Sequence, residues 1–90
     1  MTRPRVDRMR ERLTTSLQPQ MLDIEDESHL HVGHAGARDG RGHFRVIIVA
    51  DAFEGLTRVQ RHQRIYAALG DLMQTDIHAL AVQALTPAEL

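Results

Sequence analysis

The chain has 90 residues and no cysteine, which sets a single small domain and excludes disulfide staples. A chain of this size buries only roughly two-thirds of its unfolded surface, and with Phe44, Phe53 and Tyr66 as its aromatic residues the core must be aliphatic. The net charge of −1 excludes a global basic field that would draw the chain onto nucleic acid; no apolar run nears the roughly 20 residues of a membrane span, and no secretory signal is expected.

Residues 3–17 read as a helix. Thr2 can cap it, Pro4 suits its first turn, and Val6, Met9, Leu13 and Leu17 share one stripe. Arg3, Arg5, Arg8, Arg10 and Arg12 are expected to face mostly away, as a solvated basic surface. Pro19 ends the helix. Residues 20–26 alternate as a strand, with Leu22 and Ile24 on one face and Asp23 and Glu25 on the other. The acids Asp23, Glu25, Asp26 and Glu27 read as a solvated sheet face rather than a cation site. Residues 28–42 form a loop whose glycines, Gly33, Gly36, Gly40 and Gly42, permit conformations closed to other residues. Loops this long are commonly functional or disordered.

Residues 43–50 are the clearest strand. Phe44, Val46, Ile48 and Ala50 share one face; His43, Arg45, Ile47 and Val49 share the other, a half-apolar pattern suited to a central or well-covered strand. Residues 51–56 turn the chain about Gly55. A helix begins at Thr57, which has capping-box spacing to Gln60. Val59, Ile65, Tyr66, Leu69, Leu72 and Met73 are its expected buried stripe, and Gly70 weakens its middle by about 1 kcal/mol relative to alanine. A break into two helices is expected, if anywhere, near Arg61 or His62. Thr75 and Asp76 turn into a third strand at 77–84, Leu85 leaves it, and Thr86-Pro87-Ala88-Glu89 opens a final helical stub.

The order is αββααβα. The first two strands form an antiparallel hairpin with a long tip. A helical crossover joins the second to the third, which favours parallel pairing and a right-handed connection. The expected product is one α+β domain over residues 1–90, a three-stranded mixed sheet covered by helices.

Chemistry rests on the histidines His29, His31, His34, His43, His62 and His78, since imidazole is the commonest neutral metal ligand. Taken alone, the loop group His29, His31 and His34 reads as an exposed polar loop. Simple alternation puts His78 on the face of Leu80 and Val82, as a core histidine satisfied by a hydrogen bond. Parallel pairing of the second and third strands, however, brings the loop to the edge where His78 emerges. Iron–sulfur clusters are normally held by thiolates, so a chain without cysteine cannot hold one alone. No nucleophile constellation is readable in the spacing, and an enzyme is not expected. Gly55 followed by Arg58, Arg61 and Arg64 at intervals of three makes a second surface, suited to backbone phosphates. No aromatic stacking platform accompanies it.

Asp26-Glu27-Ser28, His31, Gly33-His34-Ala35-Gly36, His43-Phe44, Phe53-x-Gly55, Arg61-His62, Ile77-His78-Ala79-Leu80 and Thr86-Pro87 follow one another in the order and spacing of the BolA family. The chain resembles that family from about Val6 to Glu89. The resemblance implies a class II KH-like fold. It also implies an adaptor in iron–sulfur assembly, trafficking or regulation, which pairs with a monothiol glutaredoxin and shares a bridging 2Fe–2S cluster. In that arrangement the glutaredoxin cysteine and a glutathione supply thiolates, and this chain supplies nitrogen. His78 matches the family's ligand in the Ile-His-Ala-Leu strand; the second ligand is His31 or His34. Replacing thiolate by histidine raises cluster potential, as in Rieske centres. The family also contains DNA-binding transcriptional regulators, which would use Gly55, Arg58, Arg61 and Arg64. Two departures stand out: Gln63 where the family often has the second arginine of Arg-His-Arg, and Leu90 where many members end on an aromatic residue. A cytoplasmic location and no membrane partner are expected, and self-association as a weak homodimer stays open.

Overall fold

The computed structural model describes residues 3–28 and 41–90. Helix α1 (Arg3–Leu17) leads into strand β1 (Met21–Asp26), followed by β2 (Gly42–Val49). A 3₁₀ turn (Asp51–Phe53) precedes α2 (Arg58–Leu69), the one-turn helix α3 (Leu72–Thr75), strand β3 (Ile77–Leu85) and a last 3₁₀ turn (Pro87–Glu89). The proposed cap Thr2 and the loop residues His29, His31, His34, Gly33, Gly36 and Gly40 lie outside the described residues. The sheet order is β1-β2-β3. β1 and β2 are antiparallel, from Met21 opposite Val49 to Asp26 opposite Phe44. β2 and β3 run parallel, as the crossover requires. The expected α+β architecture is therefore the observed one.

The core follows the apolar periodicities. Met9, Leu13 and Leu17 of α1 are buried against Phe44, Val46 and Ile48 of the central strand, with Ile24, Phe53, Ile65, Leu69, Leu72 and Ile77 completing the cluster. Val6 packs at its edge. Helix α1 stops at Gln18, whose φ of 48° is left-handed and whose N–H returns to the Thr14 carbonyl at 3.0 Å, one residue before Pro19.

Helix α2 differs from expectation in two ways. It runs unbroken through Arg61 and His62. It ends instead at Gly70, whose φ of 56° closes the helix and whose N–H bonds to the Tyr66 carbonyl at 2.9 Å. Gly70 is thus a terminator between two helices rather than a weak point inside one. The buried stripe is also narrower. Ile65 and Leu69 are buried, with Ala68 packed beside them, but Val59 is 64% exposed and Tyr66 40%. Positions 61, 65, 68 and 69 fall in one stripe about 100° wide on a 3.6-residue helix; 59 and 66 lie about 120° from its centre. The capping box at Thr57 and Gln60 forms as the spacing requires, with reciprocal bonds of 2.9 and 3.2 Å.

The arginines of α1 do not simply face solvent. Arg5, Arg8 and Arg12 form one ridge beside the apolar stripe and brace the α2–α3–β3 connection. Arg5 Nε lies 3.3 Å from Asp76 Oδ2, and Arg8 pairs with the same carboxylate. Arg12 Nη1 donates to the Leu69 carbonyl and to Asp71 Oδ1, each at 2.9 Å. Glycine at position 70 leaves room for this, since a Cβ there would stand 3.2 Å from Arg12 Nη1. Arg10 reaches the Leu22 carbonyl at 3.3 Å. The reason is geometric: α1 lies across the connection, so its basic ridge meets the acids at the two ends of α3.

Two outcomes test this frame. The Thr75 hydroxyl, then Arg8 and Arg5, hold the Asp76 carboxyl below the usual aspartate range. A depressed folded pKa adds stability that is fully present above the unfolded value, about 3.9, and is lost as pH falls through the folded one. Asp76→Asn is therefore expected to lower stability at pH 7 by about 1–3 kcal/mol, with the gap to the native chain closing below about pH 4, as thermal unfolding at the two pH values would register. At Gly42 a Cβ would stand 2.6 Å from Ser28 Oγ and 2.7 Å from the Phe44 ring. Gly42→Ala is expected to cost roughly 1–3 kcal/mol in urea unfolding; a neutral result would mean that Ser28 and the Phe44 ring both move aside freely.

Candidate functional site

The histidine edge is built by a break in the β2–β3 register. Gly42 pairs with Ile77, but His43 pairs with Ala79, so His78 is the extra residue of a bulge. Bulges re-aim side chains, and they concentrate at sheet rims. Ile77 is buried, Leu80 packs partly against the core, and His78 between them is exposed. The alternation that would have put His78 with Leu80 and Val82 fails at this point, so the core-histidine reading is corrected. His78 projects instead beside His43, the first outward residue of β2. The two ring centroids are 5.2 Å apart at an interplanar angle of 48°.

His43 is held from the other side by the end of β1. Its N–H donates to Ser28 Oγ at 3.0 Å, and its carbonyl accepts from the Glu27 N–H at 2.7 Å. The Ser28 N–H in turn donates to Asp26 Oδ1 at 2.8 Å, a local side-chain turn of the kind aspartate favours. Asp26 and Ser28 therefore act as the hinge plate of the loop, a role the sequence reading missed by treating the acids as a solvated face. The Gly42 N–H binds the Asp76 carbonyl at 2.9 Å, which ties the loop's return to the residue clamped by Arg5 and Arg8. Arg41 lies at the same lip, its Nη2 3.3 Å from His78 Nδ1.

Both ends of the 28–42 loop thus stand at this edge, as the parallel topology requires. His31 and His34 lie outside the described residues, so the structure brings together only His43 and His78. His43 was absent from the set of candidate ligands read in the sequence. The signal for it was available, because the burial of Phe44 forces its neighbour outward at the strand's first turn. Among the described residues no group of three or more histidine, aspartate or glutamate side chains forms a complete metal set. Of the two adjacent rings, His78 is exposed and His43 is half-buried.

The second surface lies at the far end of β3, about 20 Å away by strand rise. A groove of about 510 Å³ runs between the start of α2 and the end of β3, lined among others by Arg58, Arg61, His62 and Gln83. Arg58 and Arg64 are exposed, and Gly55 sits in an open turn with φ 76°. Arg61 is different. Its Nε donates to the Leu56 carbonyl at 3.0 Å, and Nη1 to the Ala84 carbonyl at 3.1 Å. Its guanidinium grips Glu89 through both oxygens, at 2.6 and 3.1 Å. Glu89 also accepts from the Thr86 N–H at 2.8 Å. Held first by Arg61 and then by the Thr86 backbone, the Glu89 carboxyl is pushed down to about 2, and the Arg61 pKa is raised. Arg61 is a bracket joining the Gly55 turn, β3 and the C-terminal turn, with its charge already neutralised. The exposed cations of the strip are Arg58 and Arg64. No helix of the described residues is long and apolar enough to cross a membrane.

Comparison with known proteins gives the same architecture a family. The family model described as BolA-like protein matches residues 13–89. SufE-like protein 1 of Arabidopsis thaliana is 46% identical over 88 residues, covering 92% of this chain and 24% of that protein. The DNA-binding transcriptional regulator BolA of Haemophilus influenzae is 42% identical over 79 residues, covering 88% of this chain and 74% of that one. The solved BolA domain of SufE1 from Arabidopsis thaliana superposes with a TM-score of 0.84 at 43% identity, covering 96% of this chain and 95% of that domain. The chain spans 24% of the length of SufE-like protein 1 and 55% of Protein BOLA1 from the same plant. With the sheet order, the helical crossover and the matched residues in agreement, the chain belongs to the BolA-like family.

Proposed function

We propose that the protein is an adaptor, not an enzyme, that completes a 2Fe–2S cluster shared with a monothiol glutaredoxin. The observation that carries this reading is the exposure of His78 on the bulge, beside His43 and at the mouth of the histidine loop. A buried His78 could not face a partner. The cluster would supply one-electron redox chemistry and a transferable inorganic unit. His78 would donate one nitrogen and His31 or His34 another, while the partner's cysteine and glutathione supply thiolate. The absence of cysteine supports this division, because the chain has no thiol of its own to offer. It also fits a reducing compartment such as the cytoplasm.

Mixing the protein with a monothiol glutaredoxin, glutathione, iron and sulfide is expected to give a heterodimer with a visible absorption and circular dichroism spectrum of its own. His78→Ala should abolish that spectrum, and one of His31→Ala or His34→Ala should do the same. An unchanged spectrum in the His78 variant would sink the ligand assignment.

A second reading rests on the groove at the other end of β3, which exposed Arg58 lines, with Arg64 exposed further along α2. It takes support from the printed name of the Haemophilus relative. Contact with backbone phosphates predicts duplex affinity that falls steeply as salt rises. Arg58→Glu should weaken binding and flatten that slope, as fluorescence anisotropy would measure. Arg61 is not a clean probe of this surface, because replacing it breaks the bracket to Glu89.

A further inference from the structure

We infer that Arg41 is a positioning residue for His78: it fixes the tautomer of the imidazole and must leave before either ring nitrogen can bind a metal. The inference rests on the reading of His78 as a donor, and its first test needs no metal.

The starting observation is the 3.3 Å approach of Arg41 Nη2 to His78 Nδ1. A guanidinium carries donors only and stays charged in proteins. Nδ1 must therefore present its lone pair to Arg41, and the ring proton sits on Nε2. The contact is anchored on both sides. Arg41 precedes Gly42, whose N–H is fixed to the Asp76 carbonyl at 2.9 Å. Its other terminal nitrogen, Nη1, reaches the Gln74 carbonyl at 3.5 Å, in the last turn of α3, where helix carbonyls lack partners within the helix. His78 is turned outward by the bulge, so its ring meets the guanidinium at the rim.

The consequence for ligation does not depend on which nitrogen is used. A metal on Nδ1 takes the lone pair that Arg41 now occupies. A metal on Nε2 needs the proton moved to Nδ1, which then sets a donor against a donor. In both cases the Arg41 contact breaks. Arg41 also places a positive charge at the site of an incoming cation. The side chain is therefore a latch that keeps His78 oriented and protected, and whose release is part of loading.

The experiment is a pair of NMR measurements on the intact chain at pH 8. Long-range ¹H–¹⁵N correlations of the His78 ring report its tautomer. The native chain is expected to show the Nε2–H form in large excess. Arg41→Ala should bring the ring to a mixture, and Arg41→Lys, which keeps a cationic donor, should restore part of the bias. Zn²⁺ alone then serves as the probe of the lone pair. Its half-saturation concentration at the His78 resonances should fall about tenfold in Arg41→Ala, the equivalent of one charge-assisted hydrogen bond. A tautomer ratio that survives Arg41→Ala, or, where both rings respond to Zn²⁺, a half-saturation that does not fall, overturns the assignment. A native ring that Zn²⁺ never perturbs, while the Arg41→Ala ring responds, supports the latch; if neither ring responds, the donor reading of His78 fails, and the tautomer ratio alone then decides the role of Arg41.

Discussion

The histidine edge of this chain hangs on the parallel pairing of β2 with β3 and on its single break in register. Parallel pairing brings the N-terminal ends of both strands to one edge. Ser28 and Arg41, the described residues that flank the loop, both stand at that edge. Without the bulge, His78 would share the face of Leu80 and Val82, and an imidazole would sit among aliphatic groups, where a polar side chain costs free energy unless it is hydrogen-bonded. The one-residue slip keeps Ile77 in the core and Leu80 packed against it while turning the residue between them outward. The same slip thus satisfies the core and leaves an imidazole exposed.

Electrostatic bracing holds that edge in place. Asp76 is clamped by Arg5 and Arg8 from α1, its carbonyl receives Gly42, and His78 follows two residues later. At the other end of β3, Arg61 and Glu89 perform the matching task for the C-terminal turn. Isolated surface ion pairs contribute little. These arginines matter because each also bonds a backbone carbonyl or shares one carboxylate, so that each fixes a chain crossing. A basic residue count is therefore a poor guide to nucleic-acid binding here. Arg5, Arg8, Arg10 and Arg12 of α1 and Arg61 of α2 are taken up by partners, which leaves Arg58 as the exposed arginine lining the groove.

Much of the fold was legible in the sequence because it rests on local signals. The period-2 run around Phe44, Val46 and Ile48, the 3.6-residue stripe of Met9, Leu13 and Leu17, and the boxes at Thr57 and Thr86 each specify their element without distant help. What was hidden depends on long-range partners. No nearby residue announces that Arg5 and Arg8 meet Asp76 some 70 positions away. Gly70 reads as a weak point until its left-handed φ shows it to be a terminator. Val59 and Tyr66 look like core residues because they are apolar at helical spacing, but they lie on a line parallel to the buried one. The bulge left a trace in Ile77-His78-Ala79-Leu80, where apolar residues three apart break the alternation. That trace was read as a motif rather than as geometry, so spacing alone put His78 on the core face, and His43, though noted among the histidines, was not set beside it as a candidate ligand.

The central claim is that the bulge turns His78 out of the core and against His43. Nuclear Overhauser contacts from the His78 ring test it most directly. The expected result is a set of cross-peaks to the His43 ring and none to the methyl groups of Leu80 and Val82. Strong cross-peaks to those methyls, with none to His43, would contradict it, because the ring would then lie in the core and could not serve a partner.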